Sequence, residues 1–166
     1  MPEEKTIKRA REDAREGKAP STQAGEFVRE EMDHIRQGKH GARSTKQAIA
    51  IGLSKARRAG VELPPPRKGK MSEQTRTKAA RDDVLGRASG RRAPSAKRSR
   101  ATSNALKREG KQAASHSALS RQARSSAKIR GAANRKRAAA KAVRTKGKAG
   151  LRSAARKAAR TRARGR

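Results

Sequence analysis

A chain of 166 residues with a formal charge of +33, a single aromatic residue and no cysteine is at odds with an ordinary globular domain. Large apolar side chains supply most of the free energy of burial, so 47 Lys and Arg against 14 Asp and Glu argue against one sizeable core, and the lack of cysteine excludes disulfides and thiolate metal sites. The opening Met1-Pro2-Glu3-Glu4-Lys5 has no apolar run of the signal-peptide kind, and nothing approaches the roughly 18 apolar residues of a membrane span, so a soluble, cytoplasmic protein is expected.

In chain order, the first sixty residues alternate helix stops with helix starts. Arg15-Glu16-Gly17-Lys18 precedes Ser21-Thr22, and Arg36-Gln37-Gly38-Lys39 precedes Ser44-Thr45. Glycine suits the left-handed position that ends a helix, and Ser or Thr caps the next one. The pattern predicts helices over about 3–16, 22–37 and 45–59. Ser44 to Gln47 fits a reciprocal capping box. Gly60 ends the third helix and places Val61 to fold back on Ala56. Ala24, Phe27, Val28, Met32 and Ile35 share one face of the second helix, and Ile49, Leu53 and Ala56 one face of the third. These two predict an antiparallel hairpin across the seven-residue loop Gly38 to Ser44. The first helix has only Ile7, Ala10 and Ala14 with which to dock.

At Pro64-Pro65-Pro66 the composition changes. Residues 1–66 carry 14 basic and 10 acidic groups, residues 67–166 carry 33 and 4, and Gly110 to Arg166 hold nineteen Lys or Arg with no acid. Leu63 to Lys70 reads as a stiff, basic linker. Beyond it, Ser72 to Leu85 predicts one short helix, capped by Ser72 and stopped by Gly86. From Arg87 onward the sequence is low complexity, and like charges repel until a polyanion neutralises them. The predicted fold class is therefore all-α: a short helical hairpin, or three helices if the first docks, followed by a long, largely disordered basic tail. The corresponding divisions are a helical module over 1–62, a Pro-rich linker over 63–70 and the tail over 71–166, with induced helix expected across Arg135–Arg160 on DNA.

The stretch Gly25-Glu26-Phe27-Val28-Arg29-Glu30-Glu31-Met32-Asp33-His34-Ile35, followed by Gly38-Lys39 and Lys46-Gln47-Ala48-Ile49-Ala50-Ile51-Gly52-Leu53-Ser54-Lys55-Ala56, resembles a small bacterial domain family of unknown function. The resemblance covers about residues 22–60 and implies a bacterial source and a helical hairpin, with no characterised activity. The tail is similar in composition to histone H1-like bacterial proteins, although Arg outnumbers Lys here.

No catalytic motif is present, and no cofactor or metal is expected. Glu30 and His34 lie one helical turn apart, but two ligands fall short of a metal site, and a solvated polar face is by far the favoured reading of that spacing. Lys39, His40, Arg43 and Lys46 surround the start of the third helix, where free amides favour an anion. An ordinary capped turn is the alternative. Arg57 and Arg58 fit the dipole at the other end of that helix. A helix-turn-helix reader is disfavoured by the long loop and the small apolar residues of the third helix. No aromatic platform exists for stacked bases.

Phosphate contact remains, and it positions without reading sequence. The expected partner is the backbone of duplex DNA, in a histone-like, nucleoid-associated protein that works by charge neutralisation. RNA or ribosome binding is the alternative, as is an adaptor whose module holds a protein partner while the tail tethers it. The candidate nucleic-acid-binding residues are Lys39, Arg43 and Lys46 in the module, and Lys97, Arg98, Arg100, Arg135, Lys136, Arg137, Lys141, Arg144, Lys146, Lys148, Arg156, Lys157, Arg160, Arg162, Arg164 and Arg166 in the tail.

Overall fold

A computed structural model describes residues 2–69, 71–88 and 95–164. The described residues form helices α1 (Glu4–Arg15), α2 (Pro20–Gln37), α3 (Thr45–Arg58), α4 (Glu73–Arg87), α5 (Ala96–Lys107) and α6 (His116–Arg164), with a short 3-10 turn at Lys111–Ala114. The chain divides into two units, Met1–Ser120 and Arg121–Arg166.

Local chemistry sets the helix ends of the first unit. Helix α2 begins at Pro20 rather than at the predicted Thr22, because proline presets a helical φ at the first position and needs no donor there. It ends at Gly38, whose φ of 76° is left-handed, and the Lys39 N–H closes on the His34 carbonyl at 3.0 Å. The Ser44 hydroxyl accepts the Gln47 N–H at 3.2 Å, as the capping box requires. The return bond goes to a neighbour, with Gln47 Oε1 accepting the Arg43 N–H at 2.8 Å. Gly60 is left-handed, and the Val61 N–H reaches the Ala56 carbonyl at 3.1 Å.

Helices α2 and α3 pack as the predicted hairpin, and their shared face holds two small cores. Phe27, Ala10, Ala24, Ala56 and Val61 form one, flanked by Ile7, Leu53 and Leu63. Met32, Ile35, Ala42, Ala48, Ala113 and Ala114 form the other, flanked by Val28, Ile49 and Leu119. Gly52 permits the close crossing, since a Cβ there would lie 2.7 Å from the Val28 Cα. Helix α1 docks on α2 despite its narrow stripe, burying Thr6 and Ala10.

The second half departs most from the sequence reading. The fold class is all-α, but the predicted long disordered tail is overturned: α4, α5 and α6 make most of residues 73–164 helical. Part of this region belongs to the first unit. The Gly41 and Ala42 N–H groups donate to the carbonyls of Leu106 (2.9 Å) and Gly110 (3.1 Å). The Thr45 hydroxyl donates to the Ala113 carbonyl at 2.7 Å, and Arg36 Nε donates to the Ala114 carbonyl at 3.2 Å. Residues 106–119 thus return to cover the hairpin loop. Helix α4 is capped by Ser72, as expected, but runs through Gly86 to Arg87. That glycine is a contact rather than a stop, because a Cβ there would collide with the Arg57 carbonyl. Asp82 ties α4 to α3 by accepting from Ser54 Oγ at 2.6 Å and Arg58 Nε at 2.7 Å.

Helix α6 continues through the second unit, with non-helical backbone only at Gly131 (φ 72°, ψ 163°) and Gly147 (φ 63°, ψ 176°). Gly150 stays helical. Induced helix across Arg135–Arg160 is not required, since that stretch is already helical in the free chain. Like charges one turn apart cost about 0.2–0.5 kcal/mol per pair. Ala, Arg, Lys and Leu are among the best helix formers, and residues 95–164 lack proline. Propensity repeated over many residues outweighs repulsion confined to the pairs.

Candidate nucleic-acid interface and a buried charge cluster

The candidate cations from Lys97 to Arg164 are all exposed on helices, with Lys97, Arg98 and Arg100 on α5 and the rest on α6. Arg166 lies outside the described residues. Between 121 and 164 the sequence holds seventeen Lys or Arg and no acid. The helix gives this charge a pattern. Lys148, Arg152, Arg156, Arg160 and Arg164 recur at every fourth residue, a stripe with about 6 Å of rise per step. Leu151, Ala154, Ala155 and Ala158 occupy the opposite face. Sequence reasoning had passed over Arg152, which completes the stripe. The i,i+4 spacing was the signal that identifies it, and it carries meaning only once the segment is helical. In residues 132–146 the cations point to two sides instead, with Arg137, Lys141 and Arg144 on one and Arg135, Lys136 and Lys146 on the other.

In the loop before α3, Lys39 and His40 each face a carboxylate. Arg43 and Lys46 are exposed, but Lys39 Nζ is 3.0 Å from Glu3 Oε1 and His40 turns inward. The Ser44 cap and the Thr45–Ala113 hydrogen bond occupy the first turn. Arg57 and Arg58 serve the fold, donating to the Leu63 carbonyl and to Asp82 respectively.

What the sequence did not reveal is a charge cluster at the α2–α3 contact. Glu30 and Glu31 are buried, at 6% and 0% exposure, although they lie on adjacent positions of a helix. The Lys55 ammonium from α3 is 2.6 Å from Glu31 Oε2 and 3.6 Å from Glu30 Oε1. His40 Nε2 is 3.3 Å from Glu31 Oε1. These are ion-pair distances, but the donors lie off hydrogen-bonding directions, leaving Glu30 Oε1 and both Glu31 oxygens without a hydrogen bond. Glu30 Oε2 does accept one, from the Glu3 N–H at 3.1 Å. At the outer edge, His34 Nε2 and Lys39 Nζ both contact Glu3 Oε1, at 2.8 and 3.0 Å. The hydrogen bonds from His34 and Lys39, with the Lys39 charge, hold the Glu3 carboxyl down at about 2.

Fold and site together define an all-helical protein with a small domain at α1–α3 and exposed basic helices in its second half. Residues 4–68 match the model of a family of unknown function (DUF6496), a longer stretch than the residues 22–60 that carry the resemblance, and one that includes α1. The matched segment stops short of the basic half. No curated protein and no solved structure matches the chain. Among the described residues no helix is long and apolar enough to cross a membrane.

Proposed function

We propose that this is a sequence-nonspecific, histone-like DNA-binding protein that acts by neutralising phosphates, in association with the nucleoid. The supporting observation is the run of seventeen exposed cations without one acid over residues 121–164. A duplex carries about one phosphate charge per 1.7 Å of axis and a condensed counterion layer. Each cation that settles on a phosphate releases counterions, which drives binding through entropy and reads no base. Helices carrying long side chains suit this task, because Lys and Arg extend well beyond the backbone cylinder and adjust to the phosphate path. Arg adds bidentate phosphate contacts, and it is the commoner cation in this region.

The test is binding of the full chain to a duplex of arbitrary sequence over a range of salt. With about ten cations engaged, the slope of log K against log salt is about −9, and a slope shallower than about −3 would remove the counterion-release account. Competition by structured RNA at matched salt distinguishes the two polyanions. Clear preference for RNA would replace the DNA reading.

A further inference from the structure

We propose that Glu31, His34 and His40 form a binding site for a divalent transition-metal ion of the zinc class. One ligand atom from each of the three lies within 4.8 Å of the other two. Glu31 and His34 are three residues apart on α2 and so share a face. His40 reaches the same point from the loop, brought back by the left-handed turn at Gly38.

Two independent features point to a cation there. The first is charge. Glu30 and Glu31 have side chains 3% and 0% exposed, yet they share the single ammonium of Lys55. Glu3 and Lys39 cancel one another at the rim. His34 Nε2 is also 4.0 Å from Glu30 Oε1, so with both imidazoles neutral one buried negative charge is uncompensated, a costly condition that a bound cation relieves. The second is the orientation of His40. Its Nδ1 lies 3.0 Å from the Gly41 carbonyl, which can only accept, so Nδ1 bears the proton. In the neutral ring, Nε2 then presents a lone pair to the unsatisfied Glu31 Oε1, 3.3 Å away. Two acceptors facing each other need a proton or a metal cation between them. A ring N–H held by a backbone carbonyl while the other nitrogen faces inward is the usual support for a metal-binding histidine.

The donor set selects the metal class. Two imidazoles and one carboxylate suit zinc and its neighbours and disfavour magnesium or calcium, which take oxygen ligands. Tetrahedral ligands at about 2.0 Å sit about 3.3 Å apart, so closing the site moves no pair by more than about 1.5 Å. Three protein ligands leave a fourth position for solvent. The His34 and His40 side chains are 12% and 16% exposed, so the site is not sealed from solvent, and His34 also lines a polar cleft of about 230 Å³. The bound ion would join α2 to the loop leading into α3.

The proposal is tested by titrating the full-length chain, stripped with chelator, with Zn(II) and with Co(II). Binding of one ion per chain, with the intense visible absorbance of tetrahedral Co(II) and a rise in melting temperature of a few degrees, is expected. His40→Gln should weaken binding at least tenfold, and so should Glu31→Gln if circular dichroism shows that it still folds. His116→Gln, at the exposed start of α6, should leave binding unchanged. Mg(II) should bind far more weakly than Zn(II). Absence of saturable Zn(II) binding by the wild-type chain would overturn the site, with a proton on His40 then supplying the missing charge. Equal affinity in His40→Gln and wild type would overturn it as well.

Discussion

Phe27 is the only aromatic side chain, and it is fully buried between α1, α2 and α3 beside Ala10, Ala24, Ala56 and Val61. Its neighbours are mostly alanines, which cannot expand to fill a void. Phe27→Ala should therefore cost about 3–5 kcal/mol, a large share of the stability of so small a unit. Urea unfolding followed by circular dichroism would register it as a lowered midpoint. Affinity for duplex DNA at a temperature where the mutant is folded should change by less than about threefold, because the proposed phosphate contacts are made by charge outside this core. A mutant of wild-type stability would mean that the Phe27 pocket is not a core. That Phe27 faces inward was legible from its period with Ala24, Met32 and Ile35. That Glu30 and Glu31 are buried as well was not, since two adjacent glutamates read as a solvated face until Lys55 is brought against them from another helix.

At the scale of an element, the second unit converts a composition into a pattern. A disordered arm and a helix with the same residues have the same charge, but only the helix aligns Lys148, Arg152, Arg156, Arg160 and Arg164. Replacing these five with Gln removes five charges, and so does replacing Lys97, Arg98, Arg100, Lys107 and Arg108 around α5. By charge alone, each set should flatten the salt slope by about 4.5 if every cation in it is engaged. If the stripe is the contact surface, its variant should lose at least tenfold more affinity than the α5 variant at the same salt. Equal losses would mean that helical alignment contributes nothing and that only net charge counts. Both variants need circular dichroism alongside the binding curve, because Gln keeps helix propensity and should leave the helical signal unchanged.

Over the whole molecule, the hairpin is completed by chain more than forty residues downstream. Ala113 and Ala114 complete the core built on Met32 and Ile35, Leu119 packs at its edge, and the carbonyls of Leu106 and Gly110 satisfy the hairpin loop. A chain ending at residue 120 should unfold in one transition. Ending it at residue 105 removes these groups and should lower stability by about 3 kcal/mol, from two buried methyls, part of a leucine and several hydrogen bonds. Comparing the urea midpoints of the two fragments checks this. Equal midpoints would mean that the return segment merely rests on the surface.

The sequence by itself determined the helices of the first sixty residues, the hairpin and its loop, and the concentration of positive charge in the second half. Each of these depends on neighbours within a turn or two, through caps, glycine stops, helical period and composition. Tertiary structure decided which small residues are contacts. Gly41, Gly52 and Gly86 allow backbones to touch, and alanines fill the second core. Small residues leave no mark in a hydrophobic pattern, so the return of residues 106–119 carried no sequence signal. It also brought His40 to Glu31, because a left-handed turn and a packed loop set that distance and no residue spacing encodes it. The helical state of the basic half lies between these cases. It rests on a balance of a few tenths of a kcal/mol per residue between propensity and like-charge repulsion, and composition alone does not fix its sign.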